Sequence, residues 1–175
     1  MELANPKVSP TLRVASAAIL AGVTTVLTFF AHVPIPRTTG YVHLGDTAVV
    51  FAALTLGPFT AAIAGGLGTA VADLLSGVPL WAPISLVVHG LQGLVVGLIG
   101  RVRPGSTAVG IVAGVAGGLV MIGGYFLGGL PLEGLAPTVT AVLWNVGQAV
   151  AGVLLGIPLS IAVRRAYPPV RDLAW

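Results

Sequence analysis

Cysteine is absent from this sequence and charge is scarce, with Asp, Glu, Lys and Arg making up 7% of 175 residues. Without cysteine there are no disulfides, no thiolate metal sites and no cysteine nucleophile. A soluble domain carries about 25% charged residues, so this chain lacks the polar surface that keeps a globule in water. With 56% hydrophobic residues and a mean hydropathy of +1.03, the bilayer is the solvent that fits. The run G-x-x-x-x-G-K-[ST] that cradles nucleotide phosphates is also missing, as are G-x-S-x-G, H-E-x-x-H and D-x-D. Gly65-Gly66-Leu67-Gly68 lies inside an apolar run and carries no phosphate meaning. His32, His43 and His89 are too scattered in sequence to argue a metal site, and none is expected.

The net charge of +3 would suit nucleic acid only if the cations formed one patch. Instead Lys7, Arg13, Arg101, Arg103, Arg164, Arg165 and Arg171 sit at the ends of apolar blocks. Spanning a bilayer takes about 20 apolar residues. Helices are expected at about 14–31, 44–56, 59–75, 84–100, 107–127 and 138–163. The first is longer than the apolar core of a signal peptide, about 7–15 residues, and is expected to be retained. Polar loops are expected at 32–43 and 128–137, with turns at Gly57-Pro58, 76–83 and 101–106. The expected fold is therefore an all-α membrane protein, one domain over 1–175, forming a six-transmembrane-helix bundle. With six spans, seven of the eight Lys and Arg residues share one side and Arg37 alone lies on the other. Basic loops face the cytoplasm, so both termini are expected there, in a bacterial or archaeal cytoplasmic membrane.

Polar side chains within spans face the bundle interior or a watery cavity. Ser85, His89 and Gln92 are spaced to share one helix face, as are Asn145 and Gln148. Asp46 reads as a helix cap or first-turn residue near the outer face, and Asp73 lies at an outer helix end. Tyr125 is close to the outer end of the fifth helix. All of these fall in the outer half. A channel or proton relay would be polar along its whole length, whereas a cup open to the exterior needs polarity on one side only. Substrate-binding residues are accordingly expected among Arg37, Tyr41, Trp81, His89, Gln92, Tyr125, Glu133, Trp144, Asn145 and Gln148, with Arg37, Tyr41 and Glu133 on outer loops. No catalytic residue is expected.

The order of features carries a resemblance. Gly40-Tyr41-Val42-His43-Leu44-Gly45-Asp46 opens a short helix ending in Leu56-Gly57-Pro58. Gly65 to Asp73, then Trp81-Ala82-Pro83 and His89-Gly90-Leu91-Gln92-Gly93-Leu94, follow. This resembles the substrate-binding S components of energy-coupling factor (ECF) vitamin transporters over essentially the whole chain. The resemblance implies a six-helix subunit that takes a vitamin or precursor from outside and docks on a transmembrane coupling (T) subunit driven by two ATPases. ATP is then used by partners, and this chain needs no cofactor. The family's first helix carries an A-x-x-x-A docking motif, which Ala17 and Ala21 match. Related sequences often carry a lysine and a glutamate where this chain has His89 and Gln92. That difference removes two charges and leaves riboflavin, pantothenate, pyridoxine, a thiamin precursor and a queuosine precursor as candidates. A cell-shape scaffold of the MreD type is the alternative from another class, and an integral-membrane enzyme a third.

Overall fold

The computed structural model describes residues 9–174; Lys7, one of the cations that set the expected orientation, lies outside them. Helix α1 (Pro10–Phe30) leads into a hairpin of β1 (His32–Pro34) and β2 (Tyr41–His43). Then come α2 (Gly45–Leu56), α3 (Pro58–Leu75), α4 (Ala82–Gly100), α5 (Thr107–Glu133), α6 (Leu135–Ala166) and a 3-10 turn at Pro168–Leu173.

The boundaries follow from local chemistry. Ser9 caps α1 by accepting the Leu12 N–H, with Pro10 in the first turn, where a missing N–H costs nothing. Gly57, at φ 94°, separates α2 from α3, and Gly134, at φ 83°, is the single residue between α5 and α6. Such a φ favours glycine because it has no Cβ to clash. The loop expected at 128–137 is therefore replaced by helix running to Glu133 and restarting at Leu135. Gly128 and Gly129 are packing residues: added Cβ atoms would lie 2.8 Å from Ile84 and 3.0 Å from Thr138. Pro137 falls in the first turn of α6, where its ring is tolerated.

Five helices are long and apolar enough to cross a membrane, whereas α2 has only twelve residues. At a rise of about 1.5 Å per residue, α2 covers roughly 18 Å of a hydrocarbon core about 30 Å thick. Among the described residues five helices are thus long enough to span, and the helix expected at about 44–56 is present as the short α2. The segment expected as an irregular loop precedes it. It forms a two-stranded antiparallel ribbon pairing His32 with His43, Val33 with Val42 and Pro34 with Tyr41.

Around the bundle, α3 packs on α1 and α4, and α5 on α4 and α6; α2 touches α1, α3, α4 and α6. Nine of its twelve residues are buried, as expected for a helix that is apolar all round. Glycine brings α3 and α4 into close contact. A Cβ on Gly66 would lie 2.6 Å from the Leu86 carbonyl oxygen, and one on Gly93 2.6 Å from that of Ala61. Such small-residue contacts replace the hydrophobic drive that lipid removes. At the end away from the hairpin, Leu20, Leu56, Val96 and Val170 share a core cluster. The Arg164 guanidinium there donates to the Leu54 carbonyl oxygen at 2.9 Å.

Candidate functional site

Between α1 and α2 the chain leaves helical geometry and forms the hairpin, which contacts α1 and α6. Such backbone is tolerated in a bilayer where protein surrounds it or where it lines a cavity. Here it does both. Ile35, Thr38, Gly40, Tyr41 and His43 of the hairpin segment face Asp73, Trp81, Ser85, Tyr125, Gly129, Glu133, Thr138, Ala141 and Asn145. These residues enclose a cavity of ≈ 40 Å³, room for about three waters. Anything larger enters only when the hairpin moves.

Three contacts hold the hairpin over the cavity. The Tyr41 hydroxyl donates to Asp73 Oδ1 at 2.6 Å. The Thr39 N–H and hydroxyl both donate to Glu133 Oε1, at 2.5 and 2.6 Å. The Trp81 indole N–H donates to the Thr39 hydroxyl oxygen at 3.0 Å. Burial first, and then the bond to Asp73, push the Tyr41 phenol above its usual range, so it remains a donor. Asp73 Oδ2 is buried and has no partner, a carboxylate oxygen free to accept from whatever occupies the cavity. Asp73 and Glu133 line it while neither Lys nor Arg does. The Trp81 and Tyr125 rings lie 5.8 Å apart, and the Ser85 and Tyr125 hydroxyls are 2.6 Å apart.

A hydrogen-bonded layer lies beneath. Gln92 Nε2 donates to Asp46 Oδ2 at 2.8 Å, and Gln148 Nε2 donates to Asp46 Oδ1 at 3.1 Å. Presenting both amide nitrogens to Asp46 turns both amide oxygens outward. Gln92 Oε1 then accepts from His89 Nδ1 at 2.7 Å, and Gln148 Oε1 accepts the His43 backbone N–H at 2.8 Å. One carboxylate thus orients two glutamines, a histidine and the end of the hairpin. The Gly45 N–H donates to His43 Nδ1 at 3.1 Å, which puts the proton of a neutral His43 ring on Nε2.

Folding brings His43, Asp46 and His89 together, with ligand-type atoms within 4.8 Å of one another, although the sequence scatters them. These are ligand types that zinc uses. Here, however, His43 Nδ1 is occupied by Gly45, His89 Nδ1 by Gln92, and Asp46 by two amides. His89 Nε2 is buried and without a partner. The bonding pattern makes this cluster the floor of the cavity.

Of the residues expected to bind substrate, Tyr41, Trp81, Tyr125, Glu133 and Asn145 line the cavity. His89, Gln92 and Gln148 are buried but sit in the layer beneath it. Asp46 lies with them in the first turn of α2, buried and bonded to Gln92 and Gln148. Arg37 is exposed at the hairpin tip and does not line the cavity. Trp144 is 37% exposed and faces a shallow apolar groove with Val33, Val42 and Leu143. Ala17 is 2% exposed. Close by, Gly68 of α3 packs so tightly on α1 that its Cβ would lie 2.7 Å from the Ala21 carbonyl oxygen. Ala17 is therefore buried and Ala21 half-buried, and the exposed small residues of α1 are Ala15, Ala18 and Gly22. His43, Asp73, Ser85 and Thr138 are among the cavity residues that the substrate-binding expectation left out; Asp73 had a signal in its place at an outer helix end, and Ser85 in the face it shares with His89.

Comparison with known proteins identifies a family and two relatives. Residues 9–165 match the family described as ECF-type riboflavin transporter, S component. The chain is 34% identical over 150 residues to an uncharacterized protein in the gap 3' region of Pyrococcus woesei, covering 85% of this chain and 99% of that one. It is 31% identical over 149 residues to the thiamine precursor transporter HmpT of Lactococcus lactis subsp. cremoris (strain MG1363), covering 85% of each chain.

Proposed function

The chain belongs to the ECF-type riboflavin transporter S-component family, and we propose that it is the subunit that captures a vitamin or vitamin precursor for import. The family is a transporter component and not an enzyme family, and the chain is a multi-pass membrane protein. Neither the family match nor either relative favours a cell-shape scaffold.

The observation that carries the reading is the cavity beneath the hairpin, with the unpartnered Asp73 Oδ2 in its wall. Two lining carboxylates and no lining cation disfavour an anionic cargo such as pantothenate, whose carboxylate would meet like charge. Trp81, Tyr125 and Tyr41 suit a flat ring, since aromatic pairs stack at centroid distances of 4.5–7 Å. A neutral or cationic ring with N–H donors fits best, which favours a thiamin-precursor pyrimidine over the other candidates.

The remaining parts of the reading follow from the family. The substrate enters from outside, and import uses a transmembrane coupling subunit and two ATPases. The hairpin and α2 together make one passage, which keeps both termini cytoplasmic and Arg37 outside. The membrane is then the bacterial or archaeal cytoplasmic membrane. The coupling subunit docks on the outer strip of α1, the least buried of the five long helices, where Ala18 and Gly22 have the small-residue spacing.

The test is mass spectrometry of ligand retained by purified protein, with thermal-shift titration of riboflavin, pantothenate, pyridoxine and aminopyrimidines. An aminopyrimidine should bind, and Asp73→Asn should weaken it at least tenfold. Absence of any retained small molecule and of any shift across the panel would overturn the reading.

A further inference from the structure

The arginines at the end opposite the hairpin form a site that substrate capture does not use. After α6 the chain folds back through Pro168–Leu173 onto α6 and α2, bringing Arg171 beside Arg164 and Arg165. The three line a cleft of ≈ 180 Å³ with Gly105 and Thr107 at the start of α5. The cleft is built from fixed parts. Arg164 Nη1 donates to the Leu54 carbonyl oxygen at 2.9 Å, and Arg171 Nη2 donates to the Arg164 carbonyl oxygen at 3.5 Å. Arg164 Nε is buried and has no acceptor. Among the described residues none of the three forms an ion pair. Three like charges around one cleft, without a carboxylate, make a site for an anion, and guanidinium groups match phosphate oxygens in pairs.

A second feature lies on the same helix pair. Deeper along the seam between α5 and α6, Gly114, Gly118, Leu119, Val150, Val153 and Leu154 line an apolar groove of ≈ 280 Å³. Gly114 is seven residues from Thr107, and Leu154 seven from Ile161, which lines the arginine cleft. Two helical turns bring side chains back to the same face, so groove and cleft share one side. Along the seam the groove begins about 10 Å deeper than the cleft, the arrangement of an acyl chain below its headgroup.

We propose that this seam binds one anionic phospholipid, with its phosphate in the arginine cleft and an acyl chain in the apolar groove. Charge complementarity selects the headgroup, and the groove supplies the preference for lipid over free phosphate.

The test is native mass spectrometry of the full chain released from bilayers of phosphatidylglycerol and phosphatidylcholine in equal amounts. Phosphatidylglycerol should be retained selectively. R165Q combined with R171Q should lower that retention about ten- to thirtyfold, at about 1 kcal/mol per basic residue, with substrate binding at the other end unchanged. Leu154→Gln should lower it while leaving the arginines intact. Equal retention of both lipids, no effect of the double variant, or equal protection by inorganic phosphate alone would overturn the proposal.

Discussion

Removing the Asp46 carboxylate tests whether the buried layer beneath the cavity holds the site together. Asp46→Ala leaves Gln92 Nε2 and Gln148 Nε2 without an acceptor, and these residues are 2% and 5% exposed. An unsatisfied buried donor costs about 1–3 kcal/mol, while side-chain hydrogen bonds between membrane helices average about 0.6 kcal/mol with a maximum near 1.7. Because the layer is sealed below the cavity, a loss of about 2–4 kcal/mol is expected for the pair. For a chain of this length that corresponds to a melting temperature lower by roughly 5–15 °C, read by tryptophan fluorescence in detergent. Asp46→Asn keeps the size but sets one donor against another, so about half the effect is expected. The amides are then free to flip. Gln148 Oε1 loses its fixed aim at the His43 N–H, and ligand affinity falls even though Asp46 does not line the cavity. A double-mutant cycle of Asp46→Ala with Gln148→Ala should show coupling of at least about 0.5 kcal/mol. A melting temperature within 1 °C of wild type for both Asp46 variants, with additive energies in the cycle, would refute this account.

Three further outcomes are expected. Ala18→Trp or Gly22→Leu should abolish transport by the assembled importer and leave ligand binding intact. Ala17→Leu should instead lower stability by about 1–3 kcal/mol through overpacking; the reverse assignment would return the docking face to Ala17. Gly66→Ala, whose Cβ would lie 2.6 Å from the Leu86 carbonyl oxygen, should destabilise by a similar amount, checked by thermal unfolding. His43→Asn, which can keep the acceptor for the Gly45 N–H, should lower the melting temperature less than His43→Ala, checked by thermal unfolding.

Much of the scaffold is legible from hydropathy, because a bilayer demands long apolar runs and leaves few other ways to satisfy the backbone. The buried polar faces are legible too: Ser85, His89 and Gln92 are all buried, as are Asn145 and Gln148. Their roles are not legible, because depth along a helix does not say which partner is met. His89, Gln92 and Gln148 meet Asp46 because α2 packs against both α4 and α6. Small-residue spacing likewise fails to separate inside from outside on α1. Ala17 with Ala21 and Ala18 with Gly22 have the same spacing and differ by about 100° in direction. The same rotation separates Trp144, facing outward, from Asn145, in the cavity wall. The hairpin could not be read because its anchors, Asp73, Glu133 and Gln148, are 32, 94 and 105 residues away from their partners.

The short α2 explains why the buried carboxylates, imidazoles and amides gather toward the hairpin end of the bundle. A full helix there would satisfy its own backbone and fill the mouth with apolar side chains. Replacing its outer part by a two-stranded ribbon, whose edges lack helical partners, obliges neighbouring helices to supply them. Gln148 accepts the His43 N–H and Glu133 the Thr39 N–H, while Asp73 takes the Tyr41 hydroxyl. The ribbon is thus held by a few side-chain bonds where a helix would be held by its own ladder. Two of them, to Asp73 and Glu133, lie at the cavity wall, where an occupant competes for the same oxygens. A ligand that donates to Asp73 Oδ2 leaves the Tyr41 bond to Oδ1 in place and adds to the closed state, whereas an anion repels both carboxylates. The device that closes the cavity therefore also discriminates by charge, and Glu133→Gln should accelerate ligand release more than it slows binding, measured by stopped-flow fluorescence. An unchanged release rate would separate closure from selection and remove Glu133 from both.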